Sequence, residues 1–411
     1  MISMLATTQE YVAKSNKTDL QSPKTTRPFA SQIPIEENLW IEVVDSLDSL
    51  AAYRKDWSAL CANAVVKNVF YEPWFLLPAI KQLHADKQCR FIFIYQKNKR
   101  ITDPDILCGF FPLEQTQLRC FPQTCWKLIT DNYLYLSLPL LHSEFAEEAM
   151  HAFLKWTQIA RIPIMQFERT QSEGPFQHAL TSALNQRNLL PCSVEQSTRA
   201  ILRRKPDLND YFTGRGHYRR DMQRRRRRLS DNGNVEFRIL QNTGQLRYWQ
   251  NSYLTLERMS WKGKNGTAIA QDDQATQFFL DVTSNAMELG MLQMLGLFLN
   301  NELIAVKCNL CSGEGSYSWK IAFDEQYSKF SPGVLLELEN IEYFHNQTQL
   351  EWMDSCASEA HPMINRLWQD RIGMQSIYIP TGRFLGEMYC STRPVLRSIK
   401  RYAKRMLNRQ P

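Results

Sequence analysis

The sequence predicts an α/β (α+β) protein made of two copies of one fold, each a mixed, mainly antiparallel sheet flanked by helices. Its 411 residues exceed what one hydrophobic core usually organises, so two domains are expected. Three apolar runs, Leu292 to Leu299, Ile304 to Leu310 and Tyr317 to Phe323, are split only by Asn300-Asn301 and by Ser312-Gly313-Glu314-Gly315-Ser316. Those are hairpin-type turns, so the runs form an antiparallel meander. The order strand, strand, strand, helix, strand found there recurs in the first half without evident sequence identity.

In the first half we read strand Trp40 to Val44, helix Ser46 through Cys61, helix Pro73 to Leu83, and strands Phe91 to Tyr95, Ile106 to Leu113 and Cys125 to Ile129. A loop through Pro139, helix Ser143 to Thr157 and strand Ile164 to Phe167 complete the copy. Helix Pro175 to Arg187 and strand Arg199 to Arg203 bridge the halves, with the boundary near Ser197. No Gly/Ser/Pro-rich tract separates the two, so a tight interface with a substrate cleft shaped by the first copy is expected.

The second half opens with a helix from about Leu208 to Leu229, where Tyr211, Tyr218, Met222 and Leu229 recur along one line. Helix Gln274 to Leu289 precedes the meander. After it Ser331 suits an N-cap and Pro332 the first helical position, and Val334, Leu335, Leu338, Ile341 and Phe344 keep helical spacing. Strand Gln349 to Asp354, a loop and helix through Trp368, and strand Ser376 to Ile379 close the sheet. The predicted organisation is a disordered leader over 1–37, domains over 38–197 and 198–385, and a basic amphipathic tail helix over 386–411.

The net charge of +7 is unevenly placed. Arg215 to Arg228 holds eight Arg and one Asp, and Arg393 to Arg409 holds seven Lys or Arg and no acid, which leaves 34 basic against 41 acidic residues elsewhere. The five consecutive arginines Arg224 to Arg228 fit either a solvated face or a surface for nucleic acid or an anionic polymer. In the tail, Val395, Leu396, Ile399, Tyr402, Ala403, Met406 and Leu407 form a stripe opposite Lys and Arg. That stripe docks on the protein body or lies on an anionic membrane surface.

No apolar run reaches membrane-span length, and the N-terminus lacks the apolar core of a signal peptide. A cytoplasmic protein, peripheral at the inner membrane through its tail, is expected. The ten cysteines are scattered as reduced thiols, and no His or Cys spacing suggests a metal.

Chemistry concentrates at three places. The helix start Ser331-Pro332-Gly333-Val334 presents unpaired N–H groups, Gly333 allows close approach and Lys329 adds a cation, as a pyrophosphate cradle would; a plain helix start has the same spacing. The loop Trp261-Lys262-Gly263-Lys264-Asn265-Gly266-Thr267-Ala268 suits a substrate-gripping element or a turn anchored by its Trp. Asp354, Ser355 and His361 follow the carboxyl end of a strand, where ligands collect. The matching helix start in the first copy, Ser143 to Glu148, carries three carboxylates, readable as a capping box, that repel phosphate, so cofactor is expected in the second copy only.

The meander, the Lys329-x-Ser331-Pro332-Gly333-x-Leu335-Leu336 helix start, Trp352-Met353-Asp354, and the upstream Trp261-Lys262-Gly263 and Gly266-Thr267-Ala268 together resemble the GNAT-superfamily acetyltransferases. The resemblance is to the double-domain bacterial enzymes similar to the cellulose-biosynthesis protein CelD, and it runs from about Leu39 to Gly382. It implies an acyl-CoA donor, acetyl or longer, and, because a similar basic helix occurs in that family, a local structural or cofactor-side role for Arg224 to Arg228 rather than nucleic-acid binding. An amine or hydroxyl of a small-molecule or glycan acceptor attacks the thioester directly, in polysaccharide or cell-envelope biosynthesis. The thioester oxygen is then held by N–H groups near Ile321, Ala322 and Phe323, and Glu257, Asp324 or Asp354 takes the proton. Trp261, Lys262, Lys320, Ser355 and His361 face the acceptor. The double layout also resembles the Fem-type transferases, which use aminoacyl-tRNA, and a non-enzymatic module binding through its basic helices is a third reading.

Overall fold

The computed structural model of the chain describes residues 32–393 apart from 99, 101, 119, 120 and 213–215. In chain order the elements are β1 (Ile33–Glu36), β2 (Leu39–Val44), α1 (Arg54–Asn63), α2 (Pro73–Leu83), β3 (Cys89–Gln96), β4 (Ile106–Gln117), β5 (Thr124–Leu128) and β6 (Leu140–Leu141). Then come α3 (Ala146–Ile159), β7 (Ile164–Gln171), α4 (Pro175–Gln186), β8 (Cys192–Arg203), α5 (Leu208–Tyr211), α6 (Gly216–Ser230), β9 (Val235–Ile239), α7 (Thr243–Met259), α8 (Trp261–Lys264) and α9 (Asp273–Glu288). The chain closes with β10 (Leu292–Leu299), β11 (Glu302–Ser312), β12 (Gly315–Phe323), α10 (Pro332–Gln347), β13 (Trp352–Asp354), α11 (Pro362–Leu367) and β14 (Asp370–Pro380).

These residues divide into two compact units. A C-terminal unit holds Trp74–Ala85 and Arg199–Arg371, and an N-terminal unit holds the rest. Residues 74–85 therefore belong with the C-terminal unit although the sequence reading grouped them with 38–197. Phe75 packs edge-on to Phe278 and Trp319, with ring centroids 5.4 and 5.6 Å apart, and Asn285 donates to the Trp74 carbonyl at 3.0 Å.

The sheets of the two units share one pairing pattern. In the N-terminal unit β2, β3, β4 and β5 pair antiparallel in series, β5 pairs β7 in parallel, and β7 pairs β14 antiparallel. In the C-terminal unit β9, β10, β11 and β12 pair antiparallel, β12 pairs β13 in parallel, and β13 pairs β8 antiparallel. Strand for strand the patterns coincide, including a closing strand supplied from far along the chain. This is the tandem, mainly antiparallel fold expected from the recurring element order.

Alternation sets the two faces of the C-terminal sheet. Trp319 of β12 stacks on Phe279 of α9, centroids 5.7 Å apart at 18°, while its neighbour Ser318 turns to the opposite face, which α10 covers. Leu335, Leu336 and Tyr343 of α10 pack with Leu295, Leu297 and Ile304 on that face.

Several local expectations need correction. Ile33–Glu36, read as leader, pairs as β1 with β2; residues 1–31 of the leader, and the tail from 394, lie outside the described residues. Helix α3 begins at Ala146, so Ser143 caps nothing; its N–H donates to the Asn63 carbonyl, and Glu147 instead accepts from Ser182. The expected single helix over 208–229 is α5 and α6, with Phe212 in a turn after α5. Strand β9 and helix α7 were not anticipated. The core stripe of α7, Leu246, Trp249, Tyr253 and Leu256, is diluted by Gln, Asn and Arg, and β9 is half-buried throughout.

Candidate functional site

The helix start at residues 331–334 is built differently from the expected cap. Ser331 adopts a left-handed conformation, φ 57° and ψ 54°, and its side chain does not cap α10. A 3-10 helix, Glu325–Phe330, runs directly into it, so the chain must reverse at one residue, and αL is how a single residue does so. The freed hydroxyl accepts from Arg225 Nη1 at 3.1 Å, and the same Nη1 donates to the Lys329 carbonyl at 3.1 Å. One arginine of the basic run therefore stands at the positive end of α10, beside the exposed Lys329. A helix N-terminus with two cations suits an anion. Gly333 is buried, and a Cβ there would stand 2.9 Å from Phe323 Cδ1, so its smallness also seats the helix on β12.

The other arginines of α6 divide by position. Arg224 and Arg225 pair with Asp221, Arg226 with Glu339, and Arg219 lies 3.9 Å from Glu342. Arg220, Arg227 and Arg228 are exposed.

Beside the helix start, β12 loses a partner. β13 matches it only from Gly315↔Trp352 to Tyr317↔Asp354 and then ends, so Ser318 to Phe323 have β11 on one side and no paired strand on the other among the described residues. Ile321, Ala322 and Phe323 lie on this stretch. Lys320, also on it, is buried, and Asp324 follows, half-buried, accepting the Gln326 N–H at 2.9 Å through Oδ1.

Asp354 closes β13 with 2% exposure. Its Oδ2 is 3.4 Å from Arg199 Nη1 and its Oδ1 accepts the Cys356 N–H at 2.7 Å. Cys356 is left-handed, φ 54°, and burial, then the Asp354 charge, push its thiol well above the usual range. Ser355 is buried and accepts from the Ala357 N–H. His361 caps α11, its Nδ1 accepting the Ile364 N–H at 3.3 Å, which puts the ring proton on Nε2. Burial lowers its pKa; Glu337 opposes and Lys307 adds to the effect.

Glu257 sits at the end of α7 with 2% exposure and three donors: Tyr253 Oη at 2.7 Å and Lys262 Nζ at 2.8 Å on Oε1, and the Ile269 N–H at 2.8 Å on Oε2. Burial raises its pKa, but the charge and hydrogen bond of Lys262 and the bonds from Tyr253 and Ile269 outweigh that, and the net shift is downward. This carboxylate clamps both ends of the 261–269 loop. The loop in turn grips Glu325, which accepts the Trp261 N–H at 2.6 Å and Lys264 Nζ at 2.5 Å. Trp261 anchors nothing in the core: it is 56% exposed.

Sequence reasoning missed one cluster. Lys307 of β11 and Glu337 of α10 pair at 2.8 Å with 1% and 0% side-chain exposure. Lys307 also donates to Ser318 Oγ, and Glu337 Oε1 accepts from Asn340 at 2.9 Å and Trp368 Nε1 at 3.0 Å. Lys307 lies in an apolar run and Glu337 on a helix rich in Glu, so neither stood out in the chain. Among the described residues, no three His, Cys, Asp or Glu are placed to hold a metal ion, and no helix is long and apolar enough to cross a membrane.

With this geometry in view, residues 216–361 match the family model described as acetyltransferase (GNAT) domain. The matched stretch lies within the C-terminal unit. No curated protein matches the chain. A solved structure described as a conserved protein of unknown function from Bacteroides thetaiotaomicron VPI-5482 is similar with a TM-score of 0.51 at 9% identity, covering 83% of this chain and 99% of that one. FemX is similar with a TM-score of 0.53 at 9% identity, covering 79% of this chain and 95% of its own. At such identities these likenesses speak to the fold alone.

Proposed function

We propose that the C-terminal unit is an acyl-CoA-dependent N- or O-acyltransferase of the CelD-like type, acting on a small-molecule or glycan acceptor in polysaccharide or cell-envelope assembly. The observation that carries this is the meeting of an arginine-backed helix start, Arg225 with Ser331 to Val334 and Lys329, and the unpaired stretch of β12. At the first, a pyrophosphate would be held by Arg225, Lys329 and the dipole of α10, since the Ser331 and Val334 N–H groups donate to the Ser328 and Ser331 carbonyls and Pro332 has none. The second offers backbone groups to the amides of a pantetheine arm, as an added strand would take them.

In this reading the acceptor nitrogen or oxygen attacks the thioester carbonyl, the oxyanion is held by N–H groups of Ile321 to Phe323, and the CoA thiolate leaves as the carbonyl re-forms. The proton goes to a carboxylate. Glu257 has its oxygens taken by three donors and Asp354 is committed to Arg199 and Cys356, whereas Asp324 is half-buried and has one oxygen outside its turn. We therefore assign the proton to Asp324. Trp261, Lys262, Lys320, Ser355 and His361, the last as a donor through Nε2, face the acceptor.

Calorimetry with acetyl-CoA and longer acyl-CoAs tests the reading. Ligand at 100 times its dissociation constant stabilises by about 2.7 kcal/mol, an evident shift in melting temperature. No shift with any acyl-CoA removes the proposal. A second reading, aminoacyl-tRNA as donor, draws on the exposed Arg220, Arg227 and Arg228. It requires tRNA affinity that falls steeply with salt. The location, cytoplasmic and peripheral at the inner membrane, remains part of the first reading.

A further inference from the structure

In the N-terminal unit four large apolar side chains are exposed at one corner: Leu190 at 81%, Phe384 at 76%, Ile159 at 53% and Met388 at 48%. They come from three segments that are stitched together. Thr381 donates from its hydroxyl to the Ile162 carbonyl, a Cβ at Gly382 would stand 2.9 Å from Gln158 Nε2 and 4.0 Å from Leu189 Cδ2, and one at Gly386 would stand 2.1 Å from the Pro163 carbonyl oxygen. Ile159 ends α3, Leu190 follows α4, and Phe384 and Met388 lie one turn apart on the helical stretch 384–393.

That stretch is anchored by its other side. Leu385, Tyr389 and Cys390 pack with Phe121, Cys192 and Tyr378, the Phe121 and Tyr389 rings 5.1 Å apart. Phe384 and Met388 therefore remain outward because the helix is already seated, not because it lacks a seat. Clustered apolar exposure of this size marks an interaction surface.

We propose that this corner inserts into the headgroup boundary of an anionic lipid surface. The charges select that occupant. Segments 158–161 and 382–388 contain Arg161 and Arg383 against the single acid Glu387, Arg187 beside them being engaged with Gln158 and facing Glu36, and the sequence after Arg393 adds six Lys or Arg and no acid. Cations beside exposed Phe, Leu, Ile and Met are the composition of a peripheral membrane anchor, in which headgroup phosphates meet the arginines and the apolar side chains reach the acyl boundary. A protein groove would take the apolar side chains without a need for one sign of charge. The inference deepens the peripheral location in the first reading but does not depend on acyl transfer, since none of these residues belongs to the proposed site.

The test is co-sedimentation of the full chain with vesicles of phosphatidylglycerol and phosphatidylcholine, compared with phosphatidylcholine alone. The expected result is binding to the anionic vesicles that weakens with salt. Leu190→Ser/Phe384→Ser should lower it about tenfold or more, while Tyr248→Ser, an exposed site in the C-terminal unit, leaves it unchanged. Circular dichroism checks the fold; should the double variant unfold, the single variants Leu190→Ser and Met388→Ser carry the test, each with about a threefold loss. Absence of binding to anionic vesicles, or undiminished binding by the variants, overturns the proposal. So does a dimer of the wild type that the variants dissolve, which would make the corner a contact between two copies of the chain.

Discussion

Lys307 Nζ and Glu337 Oε2 stand 2.8 Å apart between a central strand and the helix that covers it, both side chains out of contact with water. Such a pair adds little net stability, yet each charge is intolerable without the other. Lys307→Met should therefore destabilise the protein by about 3–5 kcal/mol, and Lys307→Met/Glu337→Leu should recover most of that loss. Denaturant unfolding of the two variants checks it. A double variant as unstable as the single would mean that Asn340 and Trp368, left without their acceptor, matter more than the charge.

Arg225 joins the basic helix to the start of α10 through Ser331 and the Lys329 carbonyl. If that start holds a pyrophosphate, Arg225→Ala should weaken acyl-CoA binding by about tenfold to a hundredfold, the value of one or two charge-assisted hydrogen bonds. Glu147→Gln, at the corresponding helix of the N-terminal unit, should leave it within about threefold. Calorimetry on both variants decides. A lower melting point for Arg225→Ala with affinity intact would confine the arginine to holding the backbone.

Two carboxylates near the site, Asp324 and Glu257, are predicted to part ways on mutation. Asp324→Asn should lower turnover by about a hundredfold with donor affinity retained, as for a missing general base. Glu257→Gln should act on stability instead, with a definite pH dependence. The folded-state pKa of Glu257 lies below its ordinary value, so the unfolded chain binds the proton more readily. The stabilisation is then fully present above about pH 5 and falls as pH drops through the unfolded value near 4.3 toward the folded one. The stability gap between wild type and Glu257→Gln should close over that window in urea titrations. A gap that is constant with pH would show that the clamp acts through its shape and not its charge.

Gly333 offers a purely steric prediction. Its φ is not in the left-handed region, but a Cβ would press on Phe323 at 2.9 Å. Gly333→Ala should cost about 1–3 kcal/mol through overpacking, and Gly333→Ala/Phe323→Leu should relieve it. Thermal unfolding of the pair provides the readout. Equal losses in both variants would place the strain elsewhere along α10.

The elements that alternate or repeat cleanly were legible in the chain. The meander β10 to β12, helices α2, α4 and α9, and the recurrence of one element order follow from apolar periodicity and from turns such as Asn300-Asn301, both positive in φ. Ser331 at the N-cap and Pro332 at the first helical position were legible, but only the 3-10 turn ahead of them forces the left-handed conformation that frees the Ser331 hydroxyl for Arg225. Trp261 was open to a core reading because apolarity alone does not say on which side of a loop a ring falls.

The sequence by itself determined the fold class and the doubling of the fold, because hydrophobic period and turn chemistry are properties of adjacent residues. Only the tertiary structure decided which strand closes each sheet, that residues 74–85 belong to the C-terminal unit, that Arg225 among the described arginines of α6 meets Ser331 at the start of α10, and that Lys307 and Glu337, thirty residues apart, neutralise each other. Those outcomes depend on which surfaces can be buried together and which charges must then be paired. No window of the chain contains both partners.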